Sequence, residues 1–197
     1  MFNKDLKCGF IHIPKCAGTS INQTFKLNPF GFSGHAPLSE HQELIEKGYF
    51  FFTAIRNPWD RVVSLYHYFH QMKEGHRWYK NNKDVADLVG KIDFDEFLNC
   101  LYDLECHAYS GIHFRSFDYF LAGSDKIQDK FYILRVEDLE AGIAEVCKRL
   151  SIPNVFIKKV NKSKRSLYKD YYKNDNQINK VYEFYKSDIN KFKYGYE

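Results

Sequence analysis

The sequence predicts the α/β class: a three-layer arrangement in which a parallel sheet is flanked by helices, built as a single domain over residues 1–197. Three observations predict it. Residues 7–13 and 49–55 are apolar runs, and each is followed at once by a turn and a helix-opening signal. Residues 130–136 form a third apolar run, again followed by an amphipathic stretch. Strands that alternate with helices call for parallel pairing, because each return path is a crossover helix.

The elements follow in order. Residues 7–13 read as the first strand, with Phe10, Ile11 and Ile13 as its buried side chains and Pro14 as its stop. A small-residue turn, Lys15-Cys16-Ala17-Gly18, leads into a helix over 19–27 with Ile21 and Phe25 on one face. Residues 28–38 are a Pro-, Gly- and Ser-rich loop holding Ser33-Gly34-His35-Ala36-Pro37, after which Ser39 reads as a helix N-cap. Residues 49–55, YFFFTAI, are short, aromatic and near-continuously apolar, as a buried parallel strand is. Asn57 then suits an N-cap and Pro58 a first helical position, with a helix over 59–72 burying Val62, Val63, Tyr66 and Phe69.

Residues 73–91 read as a polar, exposed excursion, and 94–104 as a helix with Phe94, Phe97, Leu98 and Leu101 on one face. Residues 107–123 are aromatic without a clear period. After the third strand, Glu137 and Asp138 read as the cap of a helix over 139–150, which ends before Pro153. Residues 154–172 are basic and irregular. Asp175 reads as the cap of a last helix with Ile178, Val181, Tyr182, Tyr185 and Ile189 on one face, a core pattern.

The net charge of +4 is mild, which suits anionic small molecules or glycans and argues against nucleic acid as a partner. Five cysteines with no CxxC pair suggest neither a disulfide framework nor a zinc site, so a reducing compartment is expected. No apolar run reaches the length of a membrane span, and the expected location is cytoplasmic.

Chemistry concentrates at the two turns. The N–H groups of a first helical turn have no internal acceptors, and with Lys15 beside them they make an anion site. The second strand ends in Arg56, so its turn also presents a cation. Right-handed crossovers put both turns at the carboxyl edge of the sheet, where ligands bind. A phosphate or phosphosulfate is the natural guest. The Gly-Lys-Ser/Thr ending of a Walker A loop is missing, and a strand ending in Arg56 rather than Asp suits a second phosphate, so no metal is called for. Cys16 lacks the arginine six residues on that a phosphatase loop needs, since position 22 is Asn22, and reads as a small filler. His12 reads as a structural hydrogen-bonding residue, and His67 and His70 as ordinary, partly exposed histidines.

These residues resemble the sulfotransferase family that uses the donor PAPS (3′-phosphoadenosine 5′-phosphosulfate), and within it the carbohydrate branch of heparan 2-O- and chondroitin-type enzymes. Residues 10–20, FIHIPKCAGTS, match its 5′-phosphosulfate loop, and residues 54–69, AIRNPWDRVVSLYHYF, its 3′-phosphate motif. A third match runs from Val160-Asn161-Lys162-Ser163 to Phe192-Lys193-Tyr194-Gly195-Tyr196. The resemblance implies a P-loop-like sheet and these roles. Lys15 stabilises the leaving phosphate; Cys16, Ala17, Gly18, Thr19 and Ser20 form the 5′-phosphate loop. Arg56 and Ser64 grip the 3′-phosphate, Asn161, Lys162 and Ser163 close over the nucleotide, and His35 takes the acceptor proton. It implies PAPS as donor substrate, PAP (adenosine 3′,5′-bisphosphate) as product, and a hydroxyl acceptor on a glycan or glycolipid. Two other readings stay open on the residues: a P-loop nucleotide kinase or ATPase, and a non-catalytic module that binds glycans or RNA through its basic tail.

Overall fold

The computed structural model describes residues 1–27, 34–157 and 165–196. In chain order these form β1 (Phe2–Asn3), β2 (Cys8–Ile11), α1 (Gly18–Phe25), α2 (Gln42–Glu46), β3 (Phe50–Ile55), α3 (Pro58–His70), α4 (Tyr79–Val89), α5 (Phe94–Asn99), α6 (Leu101–Cys106), α7 (Phe117–Leu121), β4 (Phe131–Arg135), α8 (Leu139–Arg149), α9 (Asp175–Phe184) and α10 (Lys186–Phe192), with short 3₁₀ turns between some of them. The chain divides into two compact units, Met1–Arg56 with Phe117–Lys162, and Asn57–Ser116 with Ser163–Glu197.

The first unit holds the sheet, in the order β1-β2-β3-β4. The pairings β2–β3 and β3–β4 are parallel, as the alternation of strands and helices predicts. The sheet as a whole is mixed, because β1 pairs antiparallel with β2. That two-residue strand is too short to carry a periodic signal. The buried faces follow the sequence: Phe10, Ile11, Phe51, Phe52, Ala54 and Ile55 are essentially inaccessible. Each of these buried Phe and Ile side chains contributes about 1.5–3 kcal/mol. The Thr53 hydroxyl, buried within β3, donates to the Ile11 carbonyl at 2.7 Å, so the one polar side chain of the strand is satisfied across the ladder. Helix α1 packs on the sheet through Phe25, whose ring meets Phe52 edge-on at 5.3 Å. Helix α8 lies against β4, where a side chain at Gly142 would run into Leu134. Ser39 does not cap a helix: it sits inside the 3₁₀ turn Leu38–His41, entered from Pro37. Asp138 holds the N-cap position of α8 without a side-chain cap bond.

The second unit is helical. Asn57 caps α3 as expected, accepting from the N–H of Trp59 (3.0 Å) and of Asp60 (3.4 Å), with Pro58 in the first turn. Residues 73–91 depart from the exposed excursion expected of them. They contain α4, which buries Val85, Ala86 and Val89 against the core of this unit, so three apolar residues outweigh many exposed charges. The helix expected over 94–104 is two helices, parted at Cys100, and the last helix is likewise parted at Tyr185. Its cap is Asn174, which accepts from the Gln177 N–H, rather than Asp175. Tyr172, Val181, Tyr185 and Ile189 are buried, in keeping with the core pattern of the tail.

Arg61 is wholly buried in this unit. Its guanidinium donates to the carbonyls of His113 (3.0 Å) and Arg115 (2.9 Å) and lies 5.3 Å from the centre of the Tyr185 ring. It is a structural tie within the stretch that resembles the 3′-phosphate motif. No helix among the described residues is long and apolar enough to cross a membrane.

Candidate active site

The register of the sheet builds one corner of the first unit. Phe10 faces Phe52 and Ile11 faces Thr53; carried three residues further, the same register sets Pro14 against Arg56. Beyond the strand ends, Arg56 Nη1 donates to the Lys15 carbonyl at 3.2 Å. The two cationic turns therefore meet at the carboxyl edge of β2 and β3, as the parallel topology requires.

The turn itself is strained. Lys15 (φ 66°) and Ala17 (φ 58°) both adopt the left-handed conformation, which costs a residue with a side chain about 1–3 kcal/mol. Neither is glycine or asparagine, so no turn signal in the sequence announces them. The Arg56 bond to the Lys15 carbonyl and the burial of Cys16 hold this shape. The Ile21 N–H donates to the Ala17 carbonyl at 3.1 Å as the first bond of α1. The N–H groups of Gly18, Thr19 and Ser20 precede that bond, and Ala17 supplies no side-chain cap. The first turn also contains no acidic residue, so nothing there competes with an incoming anion. Thr19 is exposed and Ser20 is buried.

His35 joins this corner through His12. Its Nδ1 lies 2.9 Å from the His12 carbonyl, which can only accept, so Nδ1 carries the proton and Nε2 bears the lone pair of the neutral ring. The two imidazoles lie 4.4 Å apart, centre to centre. The His12 ring in turn lies against Gly18: a Cβ there would sit 1.8 Å from its Nε2. His12 is thus a structural residue, and a more consequential one than a strand-end histidine suggests. It links His35 to the turn, and its ring would have to shift to admit a side chain at position 18.

Ser64 lies half-buried on α3 in the second unit. One turn before it Asp60 is ion-paired with Arg165, and nearly one turn after it His67 Nε2 meets the Tyr171 hydroxyl at 2.6 Å. Burial first, then the Arg165 and His70 charges, lower the His67 pKa. Arg165 and Tyr171 were not legible as partners of α3, because their basic, tyrosine-rich stretch has no period. Asn161, Lys162 and Ser163 lie outside the described residues. No group of three or more His, Cys, Asp or Glu side chains among the described residues is arranged to hold a metal ion.

A strained loop feeding an uncapped helix N-terminus, with a lysine in it and an arginine bonded to it, can bind an anionic group and stabilise charge that develops there. A search of curated proteins and a search of solved structures returned no match. A family model described as the sulfotransferase family matches residues 1–195, nearly the whole chain. The chain belongs to the sulfotransferase family.

Proposed function

We propose that this protein is a PAPS-dependent sulfotransferase of the carbohydrate branch, moving a sulfonate group to a hydroxyl of a glycan or glycolipid. Membership of the sulfotransferase family supports sulfonate transfer in general. The observation that carries the finer reading is the bond between Arg56 and the Lys15 carbonyl, which joins two cationic turns at one sheet edge. A donor with phosphate at both its 3′ and 5′ positions needs two such centres.

In this reading the loop of Cys16, Ala17, Gly18, Thr19 and Ser20 takes the 5′-phosphate on its N–H groups and hydroxyls, and Arg56 takes the 3′-phosphate. Ser64, Asn161, Lys162 and Ser163 keep the donor-binding roles that the family implies for them. The acceptor oxygen forms a bond to sulfur as the bond from sulfur to the bridging phosphate oxygen breaks. That oxygen leaves with the electron pair, and Lys15 and the first-turn N–H groups of α1 meet the charge. The acceptor proton goes to His35 Nε2, whose lone pair is set by the bond from Nδ1 to His12. A P-loop-like layering of the sheet belongs to the same proposal. So does a reducing, cytoplasmic setting, which the five free cysteines favour.

The direct test is transfer of labelled sulfate from PAPS to a panel of oligosaccharides, glycolipids and small alcohols. Transfer to a sugar hydroxyl that is lost in Lys15→Ala is the expected result. Label on no acceptor, from a protein that binds PAP, would point to a binding module instead.

A further inference from the structure

Asp60, Ser64, His67 and Gln71 recur along α3 and its C-cap at helical spacing, which sets them on one face. Val62, Leu65 and Phe69 are buried on the other side. A stretch far along the chain is fastened to the polar face. Arg165, 105 residues after Asp60, is ion-paired with it. The Tyr171 hydroxyl lies 2.6 Å from His67 Nε2. The Gln71 amide N–H donates to His67 Nδ1 at 3.3 Å, so the proton of the neutral ring sits on Nε2 and is given to Tyr171. Half-buried Ser64 stands between the two fastenings.

Adhesion alone does not call for these bonds. Tyr172, next in the chain, is buried and donates its hydroxyl to the Trp59 carbonyl at 2.9 Å, which already docks the stretch on α3. Nor does the helix need Asp60 to be paired, since an acid in a first turn is favoured by the helix dipole. Yet the Arg165 side chain is only 9% exposed, and ordering so long a side chain costs rotamer entropy. A guanidinium withdrawn from water onto a carboxylate is held in one place. Its charge is felt as far along α3 as His67, whose pKa it lowers after burial does. The cation therefore acts along the face that carries Ser64.

We propose that Asp60 and His67 are positioning residues for the donor: they fasten residues 165–171 along α3 and so fix the Arg165 charge on the face of Ser64, where the 3′-phosphate is received. This rests on the reading of the donor as PAPS. Asp60 and His67 act through Arg165 and Tyr171, not on the nucleotide itself. A phosphate gains most from a cation that is already in place, because the side chain need not be ordered on binding.

The test is calorimetric titration of the full chain with PAP and with adenosine 5′-monophosphate, which lacks the 3′-phosphate. Asp60→Asn is expected to weaken PAP binding about tenfold and to leave the monophosphate unchanged, with Asp60→Glu restoring most of the loss. His67→Leu is expected to weaken PAP binding about fivefold, whereas His67→Gln, whose amide can still donate to Tyr171, retains it. Val85→Ala opens a cavity in the core of the same unit and is expected to lower Tm without either change. If Asp60→Asn does not fold, the His67 pair decides. Unchanged PAP binding in Asp60→Asn or His67→Leu, tighter binding in Asp60→Asn, equal losses with the two nucleotides, or no rescue by the conservative variants would each overturn the assignment. Failure of the unaltered protein to bind PAP would strike the donor reading and this inference with it, whereas binding that the substitutions leave alone strikes the inference only.

Discussion

Arg56 donates its guanidinium to the main-chain carbonyl of Lys15, 3.2 Å away, across the carboxyl ends of two parallel strands. In the proposed reaction each residue has a distinct task. Lys15 brings its ammonium into a loop whose backbone is strained, and Arg56 braces that backbone while adding a second positive centre. Replacing Lys15 by Ala is expected to lower kcat for sulfonate transfer about 10²–10³-fold, the usual loss for one donor aimed at developing charge. Arg56→Ala is expected to act chiefly on the donor, raising its KM. Steady-state kinetics with varied PAPS separate the two.

Gly18 has no room for a methyl group, because the His12 ring occupies that space. Gly18→Ala is expected to cost about 1–3 kcal/mol, as overpacking does, and to displace His35 through His12. A lowered Tm together with lost activity is the predicted pair of results. Gly142→Ala also overpacks, against Leu134 on β4, and serves as the control that should lower Tm with less effect on turnover.

His35→Asn separates position from proton transfer. An Asn amide can still donate to the His12 carbonyl in place of Nδ1, but it offers no basic nitrogen. Unchanged Tm with kcat down about 10²–10⁴-fold is expected if His35 is the base. Undiminished kcat would assign proton removal to another group.

Stability should depend on pH through His41. Burial, more than any other cause, lowers its pKa from 6.5 to about 4. The unfolded chain then binds more protons than the folded one between those values, so the stabilisation is complete above pH 6.5 and is lost as pH falls toward about 4. His67, lowered in the same direction, adds to the slope. Urea denaturation at several pH values should show this fall, and His41→Gln should flatten it.

Much of the fold is written locally. The apolar run ending at Ile55 and the Asn57-Pro58 pair fix a strand and a helix start within a few residues of the observed ones. Other features depend on partners distant in sequence. The left-handed turn at Lys15 and Ala17 is held by Arg56, and no local signal for it exists in a lysine or an alanine. The role of His12 depends on His35 and Gly18 together. Charges concealed α4, because Val85, Ala86 and Val89, which join the core, are outnumbered by polar neighbours. Arg61 shows the converse: it stands in the stretch that resembles the 3′-phosphate motif, yet it serves the core.

The most direct measurement is the thermal shift with adenosine 3′,5′-bisphosphate, compared with ATP plus Mg²⁺ and with adenosine 5′-monophosphate. At a thousand times its Kd, a ligand adds about 4.1 kcal/mol of stability, a rise easily read. Two cationic turns that share one doubly phosphorylated nucleoside predict a clear shift with the bisphosphate, a weak one with the monophosphate and none beyond it with ATP plus Mg²⁺. They also predict that the shift collapses in both Lys15→Ala and Arg56→Ala. An equal or larger shift with ATP plus Mg²⁺, or a bisphosphate shift that survives both substitutions, would contradict the account.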